Sequence, residues 1–280
     1  MHLLMILIAL GLAGSLRLGW SESTGSWLER WQRALLFFLL PPLLLLMTGL
    51  AVVWMGPQGQ MVWPGEGWFS YGLALVLLAW AGTLYLKLAW QGWLSLQRVQ
   101  TYAQVDLDGK PGRVLDTTAL FSAQIGFWQP ELVVSRGLLQ TLDQAHLDAV
   151  FAHEQGHYYY RDTFWFFWLG WVRAFTAWLP YTEALWQELL VLRELRADRW
   201  AVQQVDSLLL AESLLLVVRT PLAQSEIFGA AFSCAAPRSR LEERIEALIA
   251  PELPMQRPNL WFWTWILLTF LPLISVPFHT

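Results

Sequence analysis

Two runs of this chain, Ala34 to Trp54 and Trp68 to about Trp90, are apolar for the length a helix needs to cross a bilayer. That feature narrows the available folds more than any other, because such segments must be immersed in lipid or buried in a large core. Two shorter runs, Leu3 to Leu16 and Leu260 to Phe278, read as a first and a fourth span. No lysine or arginine precedes the first run, as a signal peptide's n-region would require, so it reads as a retained span. Pro41 and Pro42 are expected to kink the second span, and Lys87 to snorkel at the end of the third. Only 14% of residues are charged, against about a quarter in an average soluble domain. The 19 tryptophans suit a membrane–water boundary.

Positive charge sets the expected orientation. Arg17, Arg30 and Arg33 lie between the first two runs, none lies between the second and third, and Arg98, Lys110 and Arg113 follow the third. Residues 17–33 and 91–258 are therefore expected in the cytoplasm, with both termini outside, in a bacterial-type cell membrane. The net charge of −4 and the lack of a basic run give no reason to expect a nucleic-acid partner. Cys234 is the single cysteine, so an internal disulfide and a thiolate metal cluster are both excluded. With five histidines in total, a zinc site is expected to draw on carboxylates too.

Between the third and fourth runs the pattern changes. "DLDGKPG" is dense in turn formers, and "RVLDTTALFSAQI" and "PELVVS" read as short strands around a turn at "GFWQP". A helix is expected from near Thr141, where Thr141 and Gln144 have capping-box spacing. Another is expected from Thr182 through about Val205, and a third from Ser207 to Val218. Residues 222–236 read as loop, and Ser239 with Glu242 would cap a last helix presenting Leu241, Ile245 and Leu248 on one face.

The chemistry is concentrated in "AHEQGHYYYRD", residues 152–162. Residues four apart on a helix lie about 40° apart around its axis, so His153 and His157 can aim at one point with Glu154 beside it. Two neutral histidines and a carboxylate leave a fourth position of a zinc ion open to water. Glu154 could then take that water's proton. "RELRADRWA" places Glu194 and Asp198 four apart, Glu194 as the third ligand and Asp198 behind a ligand histidine. His146 reads as an ordinary histidine, and Arg161 with Asp162 as an ion-paired helix end. The apolar stretch 163–180 could pass for a fifth span, but a single crossing would separate His157 from Glu194 by the whole bilayer. It is expected to return to the side it left, with its tryptophans at the interface or against the other spans.

The run "FSAQIGFWQPELVVSRGLLQTLDQAHLDAVFAHEQGHYYYRD", with "RELRADRWA" and "SRLEERIEAL", resembles the gluzincin domain of integral-membrane metallopeptidases. The layout of three spans, a peptidase domain and a fourth span is most similar to the BlaR/MecR-type, and more distantly to HtpX-type proteases. The implied fold is a multipass α-helical membrane protein with an inserted α+β gluzincin domain. Its divisions are three transmembrane helices in 1–96, a cytoplasmic zinc peptidase domain in 97–258, and a fourth transmembrane helix in 259–280. The resemblance implies one zinc ion on His153, His157 and Glu194, Glu154 as general base and acid, and Asp198 behind the ligands. It also implies a substrate-binding edge strand at Leu132, Val133 and Val134. The implied partners are a protein or peptide substrate, such as a repressor-like regulator, and the lipid bilayer. No penicillin-binding sensor domain follows the last run, so β-lactam sensing is not expected. Arg238, Arg240, Arg244 and the tyrosines at 158–160 are the candidates for stabilising an oxyanion. The alternatives are an HtpX-like quality-control protease or a non-catalytic membrane signal transducer.

Overall fold

A computed structural model describes residues 2–21, 25–58, 66–107, 110–219, 240–250 and 260–278. It is mostly helical with one small mixed sheet. The chain divides into two compact units: residues 1–86, 171–189 and 254–280 form one, and residues 87–170 and 190–253 the other.

In the first unit, α1 (His2–Leu18) packs along α2 (Trp27–Met55). Helix α2 starts at a full capping box: Glu29 N donates to the Ser26 hydroxyl, and the Glu29 carboxylate accepts from Ser26 N. Pro41 and Pro42 lie inside it. Because Pro42 has no N–H, the carbonyl of Phe38 loses its helical donor. Arg17 Nη2 supplies one at 3.1 Å, from a side chain with no exposed surface. Its Nη1 donates to Thr182 Oγ1 at 3.1 Å, and Arg30 Nε reaches Glu188 at 2.7 Å. Two of the three arginines counted in the first loop thus hold residues at the start of a later helix. Helix α3 (Glu66–Gln100) has 35 residues, about 52 Å at 1.5 Å each. Of the four expected spans, α2 and α3 are long and apolar enough to cross a membrane. Helix α1 has 17 residues, and the last run forms a 3₁₀ helix, Leu260–Phe270, followed by a short α-turn, Leu271–Ile274.

In the second unit, β1 (Ala103–Leu107), β2 (Lys110–Leu115), β3 (Ser122–Ile125) and β4 (Glu131–Ser135) make a sheet in the order β1-β2-β4-β3. Strands β1 and β2 are antiparallel, β2 and β4 parallel, and β3 and β4 antiparallel. The run 113–125 is therefore two strands, broken where Thr117 N turns back to the Leu115 carbonyl. The expected edge at Leu132, Val133 and Val134 is corrected: β4 is flanked on both sides, and Val133 and Val134 are fully buried. The outermost strand beside the helix that carries His153 and His157 is β3, which contacts it.

After α4 (Arg136–Thr141), Asp143 caps α5 (Gln144–Tyr159) by accepting from His146 N. The Thr141–Gln144 box is not formed, because Thr141 closes α4 and Gln144 already lies inside α5. Helices α6 (Asp162–Phe175) and α7 (Thr182–Ala201) follow, then α8 (Ser207–Arg219) and α9 (Leu241–Ile249). Asp162 pairs with Arg196, and Arg173 with Glu183, so α6 and α7 run antiparallel. At 14 residues, α6 is about 21 Å long, short of the roughly 30 Å of a hydrocarbon core. Residues 163–180 thus form the body of α6 and the turn that leads back into α7. Ala149, Ala152, Ala201, Leu210, Leu214 and Leu248 knit α5, α7, α8 and α9 into one core. The expected loop 222–236, Cys234, Arg238 and the Ser239 cap lie outside the described residues.

Candidate metal centre

The site forms where α5 and α7 touch, and the contact depends on a glycine. A Cβ on Gly156 would stand 3.1 Å from Ala197 Cα and 3.2 Å from Trp200 Cβ. A hydrogen there lets the two backbones approach, and Glu194 on α7 comes level with the histidines of α5. His153 Nε2 and His157 Nε2 are 3.1 Å apart. Glu194 Oε2 is 3.4 Å from the first, and Oε1 is 3.6 Å from the second. Four-coordinate zinc, with bonds near 2.0–2.1 Å, holds its ligand atoms about 3.4 Å apart. The three side chains lie close enough to share one such ion, and they form a group able to hold a metal.

Each of the three side chains is held from behind. Asp198 Oδ1 stands 2.8 Å from His153 Nδ1, and Asp162 Oδ2 stands 2.7 Å from His157 Nδ1. These carboxylates turn both Nε2 atoms inward as acceptors for a cation. Asp162 can do this because Arg161 takes a left-handed conformation, φ 53°, at the break between α5 and α6. Arg244, from α9, grips Asp198 through two bonds of 2.7 and 2.8 Å and reaches Glu194 Oε2 at 3.2 Å. Arg193 holds the other Glu194 oxygen at 2.6 Å and lies over the Phe166 ring. Glu154, almost fully buried, accepts a 2.8 Å hydrogen bond from Ser122 on β3.

The electrostatics follow from this packing. Burial alone would raise the Glu194 and Asp198 carboxyls. For Glu194, Arg193, His157 and Arg244 outweigh it and hold the group well below the usual range. For Asp198, Arg244 and His153 do the same. Burial alone would lower His153, yet Asp198 and Glu194 bring it up to about 9. Burial also works against the Arg244 charge, and Asp198 and Glu194 more than offset it. Four carboxylates (Glu154, Asp162, Glu194, Asp198) meet three guanidiniums (Arg193, Arg196, Arg244), a balance that favours a cation.

The structure brings together His153, Glu154, His157, Glu194 and Asp198 from the sequence reading, and sets Leu132, Val133 and Val134 in the sheet interior. Asp162 belongs to the site and not only to a helix end. Ser122 was not foreseen; two residues of strand pattern carry no sign of a partner 32 positions away. Of the oxyanion candidates, Arg244 reaches the site but is engaged by Asp198 and Glu194, and Arg240 pairs with Glu243. Tyr159 stacks on Trp200, and Tyr160 lies under Arg196.

No curated protein and no solved structure matches the chain. Residues 120–249, a little under half of the chain, match the family model for peptidase family M48. That match does not separate the BlaR/MecR-type from the HtpX-type. Its bounds enclose Ser122, the three side chains able to hold a metal, both aspartates behind them and Arg244, so the segment that builds the candidate centre is the segment similar to peptidase family M48.

Proposed function

We propose that this chain is a membrane-embedded zinc endopeptidase that cleaves protein substrates at the cytoplasmic membrane face. The observation that carries the reading is the convergence of His153, His157 and Glu194, each buttressed, with Glu154 beside them. When bound by these three residues, zinc supplies a Lewis acid and a water of lowered pKa. The chain's own groups do the rest. Ser122 fixes one oxygen of Glu154, leaving the other to take the proton of the attacking water. Glu154 then returns that proton to the amide nitrogen as the C–N bond breaks. Arg193 and Arg244 keep Glu194 ionised and oriented as a ligand. The outermost strand β3 offers its edge to an extended peptide, which can add to the sheet beside Glu154.

The membrane reading rests on α2 and α3, with α1 and the last apolar run as shorter companions in a four-span arrangement. Helix α3 exposes Leu73, Leu75, Val76 and Trp80, a surface suited to lipid. The contacts of Arg17 with Thr182 and of Arg30 with Glu188 favour a common side for residues 17–33 and the α6–α7 hairpin. The arginine distribution makes that side cytoplasmic. Substrates of two kinds suit such a site: a repressor-like regulator, or a damaged membrane protein.

Purified Glu154→Gln protein tests the mechanism. It should retain zinc and lose at least a hundredfold in peptide hydrolysis, the usual scale of a general base. Wild-type hydrolysis in Glu154→Gln would refute it, and zinc-loaded wild-type protein inert towards every polypeptide would favour a signal transducer.

A further inference from the structure

Strand β3 does more than present a free edge. Its odd positions are committed inward: Phe121, Ala123 and Ile125 pack with Val99 and Val133. Its even positions, Ser122 and Gln124, take the other face, the one on which Ser122 holds Glu154. Gln124 Oε1 is buried, and among the described residues no donor reaches it. A buried carbonyl without a donor is costly. An extended chain lying along this strand would bring N–H groups to it.

Past Ile125 the strand ends at Gly126, whose φ of 145° only glycine adopts readily, and where a Cβ would fall 2.7 Å from Pro130 Cα. The turn lifts two aromatic residues at the end of the strand. Phe127 is anchored on α6, with ring centroids 4.9 Å from Phe164 and 5.1 Å from Phe167. Trp128 leans on Phe164 at 5.1 Å, yet 68% of its surface is exposed. From Ser122 to the shelf is four residues of strand, roughly 13 Å.

We propose that Phe127 and Trp128 form a substrate subsite. It would take a large apolar side chain three to five residues from the scissile bond, while Gln124 accepts a peptide N–H between the two. This rests on the peptidase reading and on peptide pairing with β3. It gives the enzyme a substrate class: extended polypeptide segments rich in leucine or aromatic residues, as unfolded or membrane-derived chains are. The anchored Phe127 makes the shelf rigid before binding, so little ordering cost falls on the encounter.

The test uses full-length Glu154→Gln protein in nanodiscs, so that binding is read without cleavage. Two labelled peptide pools of matched length and charge are compared by anisotropy, one rich in Leu, Phe and Trp and the other in Ser and Gln. The apolar pool should bind about tenfold tighter, the scale of one well-placed apolar contact. Trp128→Ala should abolish that preference with zinc content unchanged, and Gln124→Ala should weaken both pools alike. An undiminished preference in Trp128→Ala would overturn the subsite. So would strong quenching by nitroxide lipids of a fluorophore at position 128 (Trp128→Cys in a Cys234→Ser background), which would make the shelf a lipid contact. Failure of the peptidase reading would appear separately, as wild-type protein that cleaves neither pool, while the binding comparison still decides the subsite.

Discussion

Asp162 and Asp198 stand behind His157 and His153 and lie outside the group placed to hold an ion. Removing either should therefore weaken zinc without abolishing it. Asp162→Asn and Asp198→Asn should each lower zinc affinity by roughly 10–100-fold, the usual scale for a supporting carboxylate, as measured by competition with a chelator. Asp198→Asn should cost more, because it also takes from buried Arg244 its charged partner and one of its two short bonds. His146 carries a different prediction. Asp143 at 2.7 Å and Glu212 at 3.6 Å outweigh burial and raise its pKa. A raised folded pKa means that protonation favours the folded state. Its contribution is complete below the unfolded value, about 6.5, and is lost as the pH rises through the folded one. Thermal melts of wild type and His146→Gln should converge as the pH rises from 6.5 through that range. A constant gap between them would remove His146 from the pH dependence. At this scale the sequence was most legible where function is local. His153, Glu154 and His157 share one helix, so their spacing alone brings them together. Ser122 and Arg244 reach the site by packing, of which local spacing carries no record.

Among the elements, the α5–α7 contact is the decisive one, and it hinges on Gly156. Any side chain there meets Ala197 and Trp200 on the facing helix. Gly156→Val should move Glu194 away from the histidines and reduce bound zinc to a small fraction, with α-helical content by circular dichroism nearly unchanged. Full zinc occupancy in Gly156→Val would mean that α7 is not held where the structure has it. Helices α5, α7 and α8 were legible within a few residues, because apolar spacing and capping residues mark them. Strand order was not. At the centre of β4, "LVV" is an unbroken apolar run, which suits a strand covered on both sides better than an edge. The alternation in "FSAQI" splits cleanly into Phe121, Ala123 and Ile125 inside and Ser122 and Gln124 towards the site.

For the whole molecule, the apolar runs announced helices but overstated how many reach spanning length. Pro272 and Pro277 interrupt the last run, and only a four-residue α-turn lies between its 3₁₀ pieces. Orientation can be checked by labelling. Gln204→Cys in a Cys234→Ser background should resist an impermeant maleimide on intact cells and react in inverted vesicles; the reverse would put the peptidase segment outside. X-ray absorption at the zinc edge of the purified full-length protein reads the proposed zinc centre itself. About one zinc per chain is expected, in a nitrogen and oxygen shell near 2.0–2.1 Å with the outer-shell signature of two imidazoles, lost in His157→Ala. Protein that takes up no zinc in stoichiometric amount, or that holds it equally well in His157→Ala, would rule the zinc centre out.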